Sequence, residues 1–148
     1  MYSKEESKKI RKEFWNAFGR MSKARNKKQW LLYNTQVKDV SLKFIANREI
    51  CAVSIDIKHK NKIKRHQFFE SFLSLQNIFN AKFKDELIWE KDFILDNNKT
   101  ISRIFYKIED VNIYNKDKWS EMFKFMFKNM IKLETLFIEH EDIIKEFD

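Results

Sequence analysis

The side chains with the most chemical potential in this chain sit on one short stretch: Asp39, Asp56 and Lys58. Val40, Leu42 and Phe44 alternate with Ser41 and Lys43, and Cys51, Val53, Ile55 and Ile57 alternate with Ala52, Ser54, Asp56 and Lys58. Both runs have the period of a half-buried strand, which predicts a hairpin. With Asn47-Arg48 as its two-residue loop, Ala46 faces Glu49, Asp39 faces Asp56 and Ser41 faces Ser54. Asp39, Ser41, Asp56 and Lys58 then share the side away from Val40, Leu42, Val53 and Ile55. Two acids and an amine on one face are suited to catalysis, and they are equally what a solvent-facing strand surface carries.

The second candidate is the segment Lys58-His59-Lys60-Asn61-Lys62-Ile63-Lys64-Arg65-His66. It straddles the start of a helix, where exposed positive charge opposes the macrodipole by ~0.3–1 kcal/mol per group. Such placement points to a polyanion held by Lys58, Lys60, Lys62, Lys64 and Arg65. The basic connector with Lys23, Arg25, Lys27 and Lys28 is positioned to extend the patch. A hydrated loop in a lysine-rich chain is the plain alternative. Neither segment interleaves aromatics, as single-strand stacking requires.

Other chemistries find little support. His59, His66 and His140 lack the close spacing of zinc ligands, and a glycine-rich phosphate loop is impossible with Gly19 alone. Cys51 has no partner for a disulfide and sits in an apolar alternating run as a small hydrophobe. No cofactor is expected, and Mg²⁺ or Mn²⁺ would enter only with a catalytic role for the acids.

These residues must be positioned by an α+β fold. Its 148 residues fit one domain, 1–148, and 43% apolar content supplies ample core. Ser3 and Glu6 match a capping box that opens a helix to about Lys23. Gln29–Tyr33 reads as a short strand before the hairpin. A second helix spans about Lys62 to Phe83, Leu87–Phe93 and Ile101–Ile108 pair around a turn, and Val111–Tyr114 extends or follows the latter strand. Asn115 caps a last helix whose possible length, about 30 residues or ~45 Å, demands a break near Glu139–Asp142 or a partner chain. The expected order is α-β-β-β-α-β-β-α: three helices on an antiparallel sheet of about five strands.

Net charge is +8, divided as +12 over residues 1–66 and −4 over 67–148, so a basic half is joined to an acidic one. Only six are arginine, the better fork for phosphate. The start lacks a secretory apolar segment and no stretch approaches a bilayer span, so the expected setting is cytoplasmic, with no membrane partner. The expected partners are another protein or a nucleic acid, and the expected state is a monomer or a homodimer through the last helix.

Two likenesses add to this reading. The run from Tyr2 to Trp15, Phe68-Phe69-Glu70, Ile101-Ser102-Arg103-Ile104 and Trp119 together resemble bacterial proteins carrying domain-of-unknown-function family 4268. That resemblance covers nearly the whole chain and implies a small α+β domain, with no reaction attached. Asp39, Asp56 and Lys58 are similar to the core of the PD-(D/E)xK nucleases, whose element order also matches. That likeness implies a divalent ion held by the acids and an assisting lysine. Lys38 stands where that superfamily's name has proline. A non-catalytic accessory or interaction domain is the leading expectation, and a nuclease-like enzyme or its degenerate relative is the second.

Overall fold

The computed structural model describes residues 2–25 and 29–148. It has an α+β architecture in which helices α1 (Lys4–Arg25), α2 (Lys62–Phe72), α3 (Gln76–Asn80), α4 (Trp119–Glu139) and α5 (Glu141–Lys145) accompany four strands. These are β1 (Val40–Ala46), β2 (Ile50–Ile57), β3 (Ile88–Ile94) and β4 (Thr100–Glu109), ordered β1-β2-β4-β3 and antiparallel throughout. Among the described residues no helix is long and apolar enough to cross a membrane.

α1 begins as its sequence demands, with the Glu6 amide donating to Ser3 Oγ at 3.1 Å. Its buried Phe14 and Phe18 pack on Trp119 and Phe123 of α4, and Phe18 also meets Phe44 of β1. The same sheet face carries Val40, Leu42, Val53, Ile55, Ile57 and Ile104, which join Phe68, Phe72 and Phe79 of α2 and α3 to Met130, Leu133 and Phe137 of α4. Cys51 is fully buried on that side, and burial pushes its thiol up to about 12, so it is inert at neutral pH.

Four sequence expectations need correction. Gln29–Tyr33 is not a strand: Leu32 turns at φ 40°, which no extended run tolerates. The segment still contributes to packing, with Trp30 Nε1 donating to Ser22 Oγ at 2.8 Å and its ring against Phe44. Val111–Tyr114 is not a strand either; the Ile113 amide bonds the Asn47 carbonyl at 3.0 Å and the chain turns into α4. The sheet therefore has four strands rather than five.

The second helix does not run unbroken to Phe83, so the helices are more than three. It passes through a 3₁₀ turn at Leu73–Leu75, where Ser74 Oγ donates back to the Ser71 carbonyl at 2.7 Å. The final helix breaks at His140, inside the expected interval, and its continuation folds back as α5.

The fourth correction is the hairpin register. The loop is Arg48-Glu49, because Asn47 Oδ1 accepts from the Glu49 and Ile50 amides, both at 2.9 Å, and Asn47 pairs with Ile50. Asp56 consequently faces Ser41, and Lys43 faces Ser54. The face assignments survive, since moving the loop by one residue shifts each pairing by two.

Candidate functional site

Asp39, one residue before β1, lies across the hairpin from Lys58 rather than from Asp56, with the Lys58 amide donating to the Asp39 carbonyl at 2.7 Å. Between them and the preceding connector lies a cleft of about 410 Å³, lined by Tyr33, Asn34, Gln36, Lys38, Asp39 and Ser41 along with Lys58. Within this connector the chain alternates sides. Thr35, Val37 and Val40 are buried, whereas Asn34, Gln36, Lys38 and Asp39 are exposed and populate the cleft.

Thr35 fixes that alternation. Its buried hydroxyl donates to the Val40 carbonyl at 2.7 Å and accepts from the Val37 amide at 3.2 Å. Leu32, Gln36 and Asp39 all adopt left-handed backbone angles, with φ of 40°, 65° and 61°. Each such residue without a glycine costs roughly 1–2 kcal/mol, so the surrounding packing must hold the loop in this shape. Above the cleft, the Lys58 ammonium lies 5.4 Å from the centre of the Tyr33 ring, close enough for a cation–π contact.

Asp56 is elsewhere engaged. Arg103 of β4 grips its carboxylate with a fork: Nε donates to Oδ1 at 2.8 Å and Nη2 to Oδ2 at 2.9 Å. Ser54 Oγ adds a third donor at 3.0 Å, and the guanidinium lies 4.4 Å from the Phe93 ring centre. Asp56 and Arg103 are 3% and 6% exposed, so this ion pair is shut off from solvent while Lys43, Asp39 and Lys58 of the same polar face remain exposed. Three donors occupy the carboxylate of Asp56, and Asp39 stands apart from it. Among the described residues no three His, Cys, Asp or Glu side chains gather into a set that could hold a metal.

The basic segment divides just as sharply. Lys58, Lys60 and Lys62 are exposed, and Lys64 pairs with Asp148 at 3.1 Å. Arg65, expected to meet a polyanion, is instead buried: Nε donates to Ser102 Oγ at 3.2 Å, Nη1 to the Thr100 carbonyl at 3.4 Å, and Nη2 to Asp92. Asn61 caps α2 by accepting from the Lys64 amide at 2.9 Å. Lys23 and Arg25 end α1 next to α4, where Arg25 borders a smaller cleft with Met21, Ser120, Phe123 and Lys124. Neither lines the cleft at Lys58, and Lys27 and Lys28 lie outside the described residues.

His59, which the sequence excludes from a zinc site by spacing, is buried. It is 3% exposed, neither ring nitrogen has a hydrogen-bond partner, and the ring packs on Phe68 with centres 5.0 Å apart. Burial holds its pKa below the ordinary histidine value; Asp39 and Asp148 oppose that shift, while Lys64 and Lys38 add to it. The unfolded chain therefore binds a proton more readily than the folded one. Stability from this group is complete above the ordinary pKa of about 6.5 and declines as pH falls from there toward the lowered folded value. Urea denaturation should show this loss below about pH 6.5, and His59→Leu should flatten that part of the profile. An unchanged profile in the variant would refute the assignment.

Tyr33 falls at the end of the expected strand Gln29–Tyr33, and Asn34, Gln36 and Lys38 fall between that strand and the hairpin, so none of them stands out as a site residue in the sequence. The polar alternation of Asn34, Gln36 and Lys38 around Thr35 and Val37 was the available signal.

Among known proteins, a family model described as Domain of unknown function (DUF4268) matches residues 10–141. No curated protein and no solved structure shows a significant match to the chain.

Proposed function

The chain belongs to the DUF4268 family, and from that premise we propose that it is a non-catalytic binding domain whose cleft between residues 33–41 and Lys58 takes a phosphate-bearing polyanion. The observation that carries this reading is the division of labour across the hairpin. Asp56 is consumed by Arg103, while Lys58 and Lys38 stand exposed at a polar cleft with Lys60 and Lys62 following Lys58 in the chain. Exposed lysines confer affinity on any polyphosphate backbone through counterion release, without needing the base-reading geometry of arginine. An accessory role follows, because this chemistry holds a ligand and breaks no bond.

The test uses inorganic polyphosphate as probe. Binding should weaken steeply with salt, with log Kd against log salt rising at a slope of about 3 if four lysines each displace a counterion. The variant Lys38→Ala/Lys58→Ala/Lys60→Ala/Lys62→Ala should abolish binding while leaving the thermal transition nearly in place, since all four side chains are exposed. Undiminished affinity in that variant would refute the cleft, and hydrolysis of nucleic acid by the wild-type chain with Mg²⁺ or Mn²⁺ would refute the non-catalytic reading.

A further inference from the structure

We propose that the polyanion is a single-stranded nucleic acid, with a base stacked on Tyr33 and the neighbouring phosphates on Lys58 and Lys38. This rests on the binding reading above and specifies its ligand.

Tyr33 is 73% exposed, more than any other large apolar or aromatic side chain among the described residues. A tyrosine that mattered only for packing would turn its ring inward, as Phe14, Phe68 and Phe72 do. The backbone that carries it is nevertheless braced. The left-handed Leu32 and the Asn34 amide, which bonds the Leu31 carbonyl at 2.6 Å, fold the chain back immediately around it. Thr35 then anchors the following residues to β1. The result is a wetted aromatic ring held on a braced turn, with the Lys58 ammonium 5.4 Å from its centre.

An aromatic platform beside a cation is the pairing that single strands require. The ring supplies a surface for an unstacked base, and the amine meets the phosphate that follows it. A duplex offers no free base face, so the same arrangement discriminates against it. The cleft adds groups able to address base edges: the exposed Asn34 and Gln36 amides are both donors and acceptors. Asp39 lies at the rim as an opposing charge, offset by Lys38 and Lys58, and Lys60 and Lys62 continue the basic track. Tyr33 is 25 residues from Lys58 in the chain, so the aromatic absent from the basic segment is supplied by the fold.

The experiment compares fluorescently labelled oligothymidylate of about ten nucleotides, within the usual site size for single strands, with an abasic oligomer of equal length and charge. The base-bearing strand should bind roughly tenfold to a hundredfold more tightly, the range expected for stacking of a single base or two. Tyr33→Ala should remove that ratio and leave abasic binding unchanged, and Tyr33→Phe should keep it. Equal affinities for the two oligomers, or a ratio that survives Tyr33→Ala, would overturn the stacking proposal while abasic binding upheld the polyanion reading. Failure of both oligomers to bind would overturn the two together. An arm comparing oligodeoxyuridylate with oligouridylate, which differ only in the 2′-hydroxyl, names DNA or RNA as the ligand from the tighter binder.

Discussion

Replacing Asp56 with alanine should lower the free energy of unfolding by about 3–5 kcal/mol, as measured by urea denaturation. The substitution strands the Arg103 guanidinium in a site that is 6% exposed, against the Phe93 ring, and removes the acceptor used by Ser54. The loss comes chiefly from the uncompensated charge, because an intact buried pair recovers little more than its own desolvation. Asp56→Leu/Arg103→Met should therefore regain most of the stability that either alanine variant loses. A double-mutant cycle should return a large coupling between positions 56 and 103. Stability within about 0.5 kcal/mol of wild type for Asp56→Ala would show that the pair is not structural, and would return Asp56 to the list of catalytic candidates.

The second large effect belongs to Arg65. Arg65→Ala should destabilise the protein by about 2–3 kcal/mol, the scale for losing charged hydrogen bonds and leaving buried partners unmet. The side chain ties α2 to the β3–β4 pair through Ser102, the Thr100 carbonyl and Asp92, and Ser102 in turn donates to the Lys91 carbonyl at 2.6 Å. Arg65→Lys should rescue only part of the loss, because an ammonium cannot span three acceptors in the guanidinium's fork. Polyphosphate affinity per folded molecule should stay at the wild-type value in both variants. Lys60→Ala and Lys62→Ala should show the reverse: weaker binding at constant stability. A fall in affinity for folded Arg65→Ala would place this arginine in the binding surface after all.

Both predictions concern residues that the sequence offered as candidate site residues, and the hairpin shows why their roles differ. Alternation of Val40, Leu42, Val53 and Ile55 with polar residues established which side of each strand is buried, and the structure has those sides as expected. The same alternation is blind to a register change of two, so Asp39 paired with Asp56 looked as good as Asp39 paired with Lys58. The deciding group was the Asn47 side chain, which accepts from two amides and places the turn one residue later. A loop without glycine left no stronger marker.

The helices were legible to a similar depth. The capping serine and the Asn115 turn are local and could be placed from neighbouring residues, whereas the break at His140 followed from the length of the helix, which left a partner chain as the alternative. The 3₁₀ interruption after Phe72 was not, because apolar spacing continues through it and only the Ser74 hydroxyl signals the change. Arg65 and Ile63 are both at basic or exposed-looking positions of one helical turn. Arg65 is buried and Ile63 is 70% exposed, since the strand neighbours of α2 offer carboxylate and hydroxyl partners on that side.

Short-range physics thus determined where strands and helices form and which of their sides shed water, because period and capping involve residues a few positions apart. Long-range assembly decided what the charged and aromatic groups do. Asp56 meets Arg103 across 47 positions, and Tyr33 meets Lys58 across 25. A side chain's periodicity records its side of an element, while its partner is set by how distant elements pack. The acids of one hairpin therefore became a buried ion pair and a cleft rim, outcomes that no local pattern encodes.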